Sequence, residues 1–330
     1  MLPASAFATV DASYHEAPAA SGADYACRYP HLIEPGWPYA FGGNLPMCTL
    51  VDYPSKRTEY VQAGPADWQF TARSENETDN PAYEDVDRDE GTLKAGSHLT
   101  ESPFSGPLAP CAQPLAKPLV PGEPTYSAAR NGDTVTLELA QLCGPDLTSI
   151  VASSSGDYPD VEIYQDGTLI ADGTNYVGVA PGSHILRIVA DVTRDNRGDA
   201  RTSTHSTTDW TIHSSTTTAD SALPLPQLAF DLPTNLTNNA LPGRNTLRIH
   251  PTHQTGAPAL PFTTLTLTAS FDDGATWHNV PVTRDGGTWR AEMPTAPAGG
   301  FASLRASATD SAGNSITETV IRAYGAADRH

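Results

Sequence analysis

Apolar and polar residues alternate most regularly between Leu265 and Tyr324. Leu265, Leu267, Ala269 and Phe271 occupy every second position, with polar residues between them. That is the pattern of a strand with one buried face. Asp273-Gly274 follows as a hairpin turn, because glycine takes positive φ without steric cost. Asp285-Gly286-Gly287 precedes Trp289, and Asp310-Ser311-Ala312-Gly313-Asn314 separates Leu304, Ala306 and Ala308 from Ile316-Thr317. Short strands divided by turn residues at this spacing predict a β-sandwich of immunoglobulin or fibronectin III type. Such sandwiches more often bind, space or brace than catalyse.

The alternation recurs from Asp133 to Ile212. Val135, Leu137 and Leu139 are expected to share one face, and Val161–Tyr164 leads through Asp166-Gly167 into Thr168–Ile170 as a second hairpin. Pro181-Gly182 turns the chain before His184–Ala190, and Trp210-Thr211-Ile212 closes the unit. Upstream, Arg57–Val61 reads as a strand, an acidic run extends from Glu75 to Glu90, and the proline-rich stretch 102–124 reads as an extended surface crossing. Residues 1–55 are rich in Ala, Pro, Tyr and Gly and show no clear period. Ser214–Ala222 is nearly all Ser, Thr and Ala, a linker composition. The expected architecture is therefore all-β. An irregular segment, 1–55, precedes a jelly-roll-like sandwich, 56–215, with acidic and proline-rich insertions. A linker, 216–222, leads to an immunoglobulin/fibronectin III-like sandwich, 223–326.

Composition narrows the partners. The net charge of −19 opposes nucleic acid and anionic membrane surfaces, which both require basic protein surface. No run of 18 apolar residues exists to insert as a membrane helix. Cys27, Cys48, Cys111 and Cys143 are even in number and include no CxxC pair, so disulfides fit better than zinc. Of the three connectivities, the sequence-near one, Cys27–Cys48 and Cys111–Cys143, is preferred, because each pair lies within or borders one irregular segment. Disulfides imply a secreted, extracellular protein. Met1-Leu2-Pro3-Ala4-Ser5 carries no basic n-region followed by an apolar h-region, so the chain is expected to be a piece of a longer exported protein.

Candidate chemistry is sparse. There is no Gly-x-Ser-x-Gly elbow, and none of the ten histidines precedes a glycine. His250 and His253 lie close in sequence, but Pro251 opposes a helix and two imidazoles do not close a metal site. Asp85, Asp87 and Asp89 resemble the start of a calcium loop. Glu90 at position six and Gly96 at position twelve depart from that motif, and a solvated acidic loop is the favoured reading. No other cofactor is implied. Trp68, Trp210, Trp277 and Trp289 could form a sugar platform, though core positions are expected for large aromatics on alternating strands. Asn76-Glu77-Thr78 and Asn235-Leu236-Thr237 match the glycosylation sequon.

The order of these features carries a resemblance. Arg57-Thr58-Glu59-Tyr60-Val61 is followed by Ile163-Tyr164-Gln165-Asp166-Gly167-Thr168-Leu169, then by Thr208-Asp209-Trp210-Thr211-Ile212. Ser270–Trp277 and Ser303–Tyr324 complete the series. The series resembles the region C-terminal to the catalytic domain in large secreted subtilisin-like serine peptidases of actinobacteria, over roughly residues 56–326. The family's Asp, His and Ser motifs lie upstream of that region, so no catalytic residue carries over. The resemblance implies a non-catalytic accessory region that braces the catalytic domain in cis or in trans, presents a protein or glycan substrate, or attaches the enzyme to a surface. The alternative is a stand-alone carbohydrate- or cell-wall-binding protein. An enzyme with an unrecognised site ranks below both.

Overall fold

The computed structural model describes residues 6–16, 24–32, 47–64, 66–76, 82–112, 127–153, 159–194, 200–243 and 245–326. Among them the chain is all-β, with its strands in five sheets and no α-helix. The organising element is an eight-stranded antiparallel sheet built from both halves of the chain. Asp160–Gln165, Thr168–Asp172, Ser183–Thr193 and His205–Ser215 form one side of it. Phe262–Ser270, His278–Val280, Phe301–Asp310 and Ser315–Gly325 form the other. The two sides join where His205–Ser215 pairs with Ser315–Gly325, from His205 opposite Ile321 to Thr211 opposite Ser315.

Two four-stranded sheets pack against this large sheet. The first contains Ala128–Asn131, Thr134–Leu137, Tyr176–Gly178 and Ser221–Ala222. The second contains Pro226–Asp231, Asn245–His253, Val282–Asp285 and Thr288–Met293. Val135 and Leu137 from the first, Leu247 and Ile249 from the second, and Ile188, Trp210, Leu304 and Ile316 from the large sheet belong to one continuous core. Burying such side chains yields about 25 cal/mol per Å² of apolar surface, the main favourable term in folding.

The described parts of the N-terminal segment, 6–16, 24–32 and 47–55, are built around strands, contrary to the sequence expectation of an irregular 1–55. Phe7–Tyr14 pairs antiparallel with Ser55–Gln62 and parallel with His98–Glu101 in a three-stranded sheet. Its inward positions are Ala8, Val10, Ala12 and Tyr14, all buried. Two of the four are alanines, whose weak contrast with polar neighbours hides the two-residue period. This sheet faces a seven-stranded one that runs, in spatial order, Met47–Leu50, Tyr25–Leu32, Ala66–Asn76, Ala82–Thr92, Ile150–Ser153, Leu139–Cys143, Ala109–Ala112. Tyr14 packs there with Phe70, Ala72 and Val86.

Three further expectations are corrected. Val135 and Leu137 do not share a strand with Leu139: the chain leaves the first four-stranded sheet after Leu137 and enters the seven-stranded sheet at Leu139. The proline-rich stretch is no surface crossing over its described part, since Phe104, Leu108 and the whole strand Ala109–Ala112 are buried. The hydroxyls of Ser206 and Thr208, both buried, donate to the carbonyls of Leu108 and Pro110 at 2.6 and 2.7 Å and pin that stretch to the large sheet. Residues 113–126 lie outside the described residues. Nor is 216–222 a free linker. Thr216 donates its amide to Gly182, Thr217 its hydroxyl to Arg130, and Ser221–Ala222 pairs with Ala129 and Arg130.

Both expected disulfides are present, Cys27–Cys48 with Cα atoms 4.0 Å apart and Cys111–Cys143 at 5.9 Å. Each ties a four-residue outer strand of the seven-stranded sheet to its neighbour. Together they place the protein in an oxidising compartment. Replacing Cys27 and Cys48 by serine is expected to lower stability by about 3 kcal/mol in the chain-entropy model. Urea denaturation of the variant and parent checks this, and an unchanged midpoint counts against it.

Glu318 faces the core from the seam, opposite Thr208 and Ala306. It is 6% exposed, and burial raises its carboxyl to about 8. An unfolded glutamate ionises near its ordinary value, so stability falls as pH rises from there and levels off above the folded value. Glu318→Gln is therefore expected to stabilise the protein by about 3 kcal/mol at pH 7, at 1.36 kcal/mol per pKa unit. Urea midpoints at pH 4 and pH 7 test this. The gap must close at pH 4, and a gap independent of pH refutes the assignment.

Candidate functional site

A cleft of about 510 Å³ opens where the N-terminal sheets meet the second four-stranded sheet. The volume lies within the range of ~300–1,000 Å³ usual for small-ligand sites. Ser13 and His15 reach it from the end of Phe7–Tyr14, and Lys56 from the adjoining strand. Phe70 and Val86 come from the seven-stranded sheet, while Phe230, Leu232 and Leu236 form the opposite wall.

Backbone hydrogen bonds fix this arrangement. The His15 amide donates to Pro103 at 3.0 Å and the Glu16 amide to Leu236 at 2.7 Å. Asn238 holds the two sides together. Its side-chain oxygen accepts from the Gly106 amide at 3.2 Å, and its nitrogen donates to the Phe104 carbonyl at 2.9 Å. Asn238 has φ of 55°, a left-handed conformation that asparagine tolerates better than most residues. The Asn235 side chain of the second sequon is used locally, accepting from the amides of Thr237 and Asn239, both at 3.0 Å.

His15 is 6% exposed, and its Nδ1 has no hydrogen-bond partner. Burial pushes the imidazole down to about 4, against the opposing pull of Asn238, so it is neutral at ordinary pH. The carboxylates around the cleft are already engaged. Glu101 is held by Arg28, Asp146 accepts from the amide and hydroxyl of Thr148, and Asp231 pairs with Arg248. Arg88 donates to the Thr100 carbonyl at 3.2 Å, while exposed Lys56 has no partner among the described residues.

Behind the cleft an ion cluster joins the two N-terminal sheets. Arg28, on the seven-stranded sheet, bonds Glu101 through both guanidinium ends, at 3.0 and 3.3 Å, and Glu59 at 2.9 Å. Tyr14 donates to Glu59 at 2.7 Å, Arg57 donates to both Glu59 and the Tyr14 oxygen, and Arg28 lies over the Phe70 ring. Burial pushes the Glu59 carboxyl up, but Arg28, Tyr14 and Arg57 outweigh it and hold the group below the usual carboxylate range.

The residues singled out from sequence do not assemble here. Asp85, Asp87 and Asp89 lie on the strand Ala82–Thr92 and not on a loop, the first two paired on both sides and Asp89 with Gln69 alone. His250 and His253 sit three apart on Asn245–His253 and take separate partners, Thr288 at 2.9 Å and Asp310 at 3.0 Å. Trp68 and Trp210 are core residues. Trp277 and Trp289 are half-buried, with Arg305 and Arg284 stacked over them at 4.2 and 5.6 Å. The sequence reading missed His15, Arg28, Lys56 and Glu101, which no motif or spacing connects and only the sheet topology brings together.

Comparison of the chain with family models and with curated proteins finds no match.

Arg28→Met is expected to cost about 3–5 kcal/mol, because it leaves Glu101, 2% exposed, as an uncompensated buried charge. Adding Glu101→Gln should return part of that loss. Denaturant melts of both variants decide it: if the single variant melts with the parent, the cluster contributes nothing to stability.

Proposed function

We propose that this chain is a β-sandwich accessory region of an exported protein, which braces a catalytic partner and offers it a binding cleft. The observation that carries this reading is the shared eight-stranded sheet. Two sandwiches on independent sheets would flex about their linker, whereas here the strand His205–Ser215 belongs to the same ladder as Ser315–Gly325. A plate of that kind holds an attached domain at a fixed distance and orientation. The disulfides support export, since they persist only where thiols are not kept reduced.

In its finer form the proposal follows the resemblance. The partner is the catalytic domain of a subtilisin-like serine peptidase, joined in cis or bound in trans, and the ligand of the cleft derives from its protein substrate. The half-buried, arginine-covered tryptophans favour this reading over a sugar-binding platform.

The purified protein is expected to leave casein intact and to take up no serine-directed phosphonate. Joined to a subtilisin-like catalytic domain, it should lengthen that domain's half-life at elevated temperature several-fold. Stoichiometric labelling of a serine, or an unchanged half-life, overturns the proposal.

A further inference from the structure

We propose that the Cys27–Cys48 disulfide is a redox latch. A dithiol reductant opens it and frees the edge strand Met47–Leu50, while Cys111–Cys143 and the rest of the fold stay closed. The proposal goes beyond the accessory reading given above and does not depend on it.

The two disulfides stand in opposite surroundings. Cys111 and Cys143 are both buried, and the strand Ala109–Ala112 that carries Cys111 is buried along its whole length. Of the other pair only Cys27 is buried, whereas Cys48 is exposed, with Thr49 and Leu50 exposed after it. A thiolate must reach one sulfur of a disulfide to exchange with it, so access decides which of the two reacts.

Register explains why opening the bond frees the strand. Cys27 lies directly opposite Cys48, and the Val51 amide donates to the Asp24 carbonyl at 3.0 Å. Antiparallel pairs alternate between bonded and non-bonded, so Ala26–Thr49 and Arg28–Met47 carry the ladder and Cys27–Cys48 does not. The strand is the last in its sheet, with no neighbour on its outer side among the described residues. Without the disulfide it keeps those two backbone pairs, the bond from Val51 and a long contact from Arg57 to the Leu50 carbonyl at 3.5 Å. None of Cys48, Thr49 and Leu50 is buried. A segment with so few buried contacts opens locally, far below the free energy of global unfolding.

The reductant balances the exchange. Its thiolate bonds to Cys48 Sγ, the Sγ–Sγ bond breaks, and the electron pair goes to Cys27 Sγ, which takes up a proton. The second thiol of the reductant then attacks the mixed disulfide and expels Cys48 as a thiol. The reductant leaves as its own disulfide, and two electrons and two protons have passed to the protein. Freeing the strand removes Thr49 from the wall of a cavity of about 230 Å³ that also carries Arg28, Arg57, Glu59 and Phe70. Water then reaches the ion cluster between the two N-terminal sheets, whose strength depends on its burial. Reduction thus loosens this end of the molecule and no other.

Dithiothreitol applied to the intact native protein, followed by iodoacetamide and peptide mapping, tests the proposal. Cys27 and Cys48 are expected to be alkylated about tenfold faster than Cys111 and Cys143. Amide hydrogen exchange at Ala26, Arg28 and Thr49 should quicken about tenfold in the same sample, with Ser183–Thr193 of the large sheet unchanged. The double variant Cys27→Ser, Cys48→Ser should show the fast exchange without reductant and gain nothing from its addition. If that variant does not fold, the alkylation order and the exchange of the native protein decide the matter alone. Equal alkylation of all four cysteines, earlier alkylation of Cys111 and Cys143, or unchanged exchange at Ala26 and Thr49 once Cys27–Cys48 is reduced overturns the proposal.

Discussion

The ladder between His205–Ser215 and Ser315–Gly325 is the constraint on which the rest of the molecule depends. Each of these strands has a second neighbour, Ser183–Thr193 for one and Phe301–Asp310 for the other, so both run through the interior of a sheet. Trp210 and Ile316 face each other across the seam and anchor the continuous core. From the same strand, Ser206 and Thr208 capture the chain at Leu108 and Pro110, and this fixes the edge of the seven-stranded sheet. The cleft is thus positioned by interactions that begin at the seam.

Polar groups inside this protein are handled in two ways, with opposite responses to acidity. Glu59 sits among Arg28, Arg57 and Tyr14, remains ionised, and strengthens the fold only while it stays so. That contribution is present above the usual carboxylate range and fades as pH falls through it. Glu318 is kept neutral by its surroundings and weakens the fold as the solvent becomes more alkaline. The two groups thus respond to pH in opposite senses. Arg28 earns its position through geometry as well as charge, because its planar fork meets Glu101 at both oxygens.

The parts of the fold legible in sequence are those where one residue decides the backbone. Asp166-Gly167 and Asp273-Gly274 all carry positive φ, between 49° and 87°, and both turns fall where the sequence put them. Leu265, Leu267 and Ala269 are buried on alternate positions of Phe262–Ser270, as their spacing requires. The disulfide pairing was also readable, since sequence-near cysteines lie on neighbouring strands. The reading failed where local composition misrepresents its use. Alanines in Phe7–Tyr14 form a core face without looking apolar, and threonines in 216–222 serve as hydrogen-bonding anchors while resembling linker residues. The acidic repeat at 85–89 lies within a paired strand. The cleft was invisible because its walls come from residues more than 200 positions apart, as with His15 and Leu236, and no local pattern records such a meeting.

The shared sheet has a consequence for how such a protein can change over generations. A self-contained sandwich closes its own hydrogen-bonding edges and can be copied, lost or moved between genes as a unit. Here each half provides the neighbour that the other half's innermost strand requires. A recombination break at 216–222 would release two long, bare strand edges, ready templates for association with other chains. The two halves must therefore be inherited together.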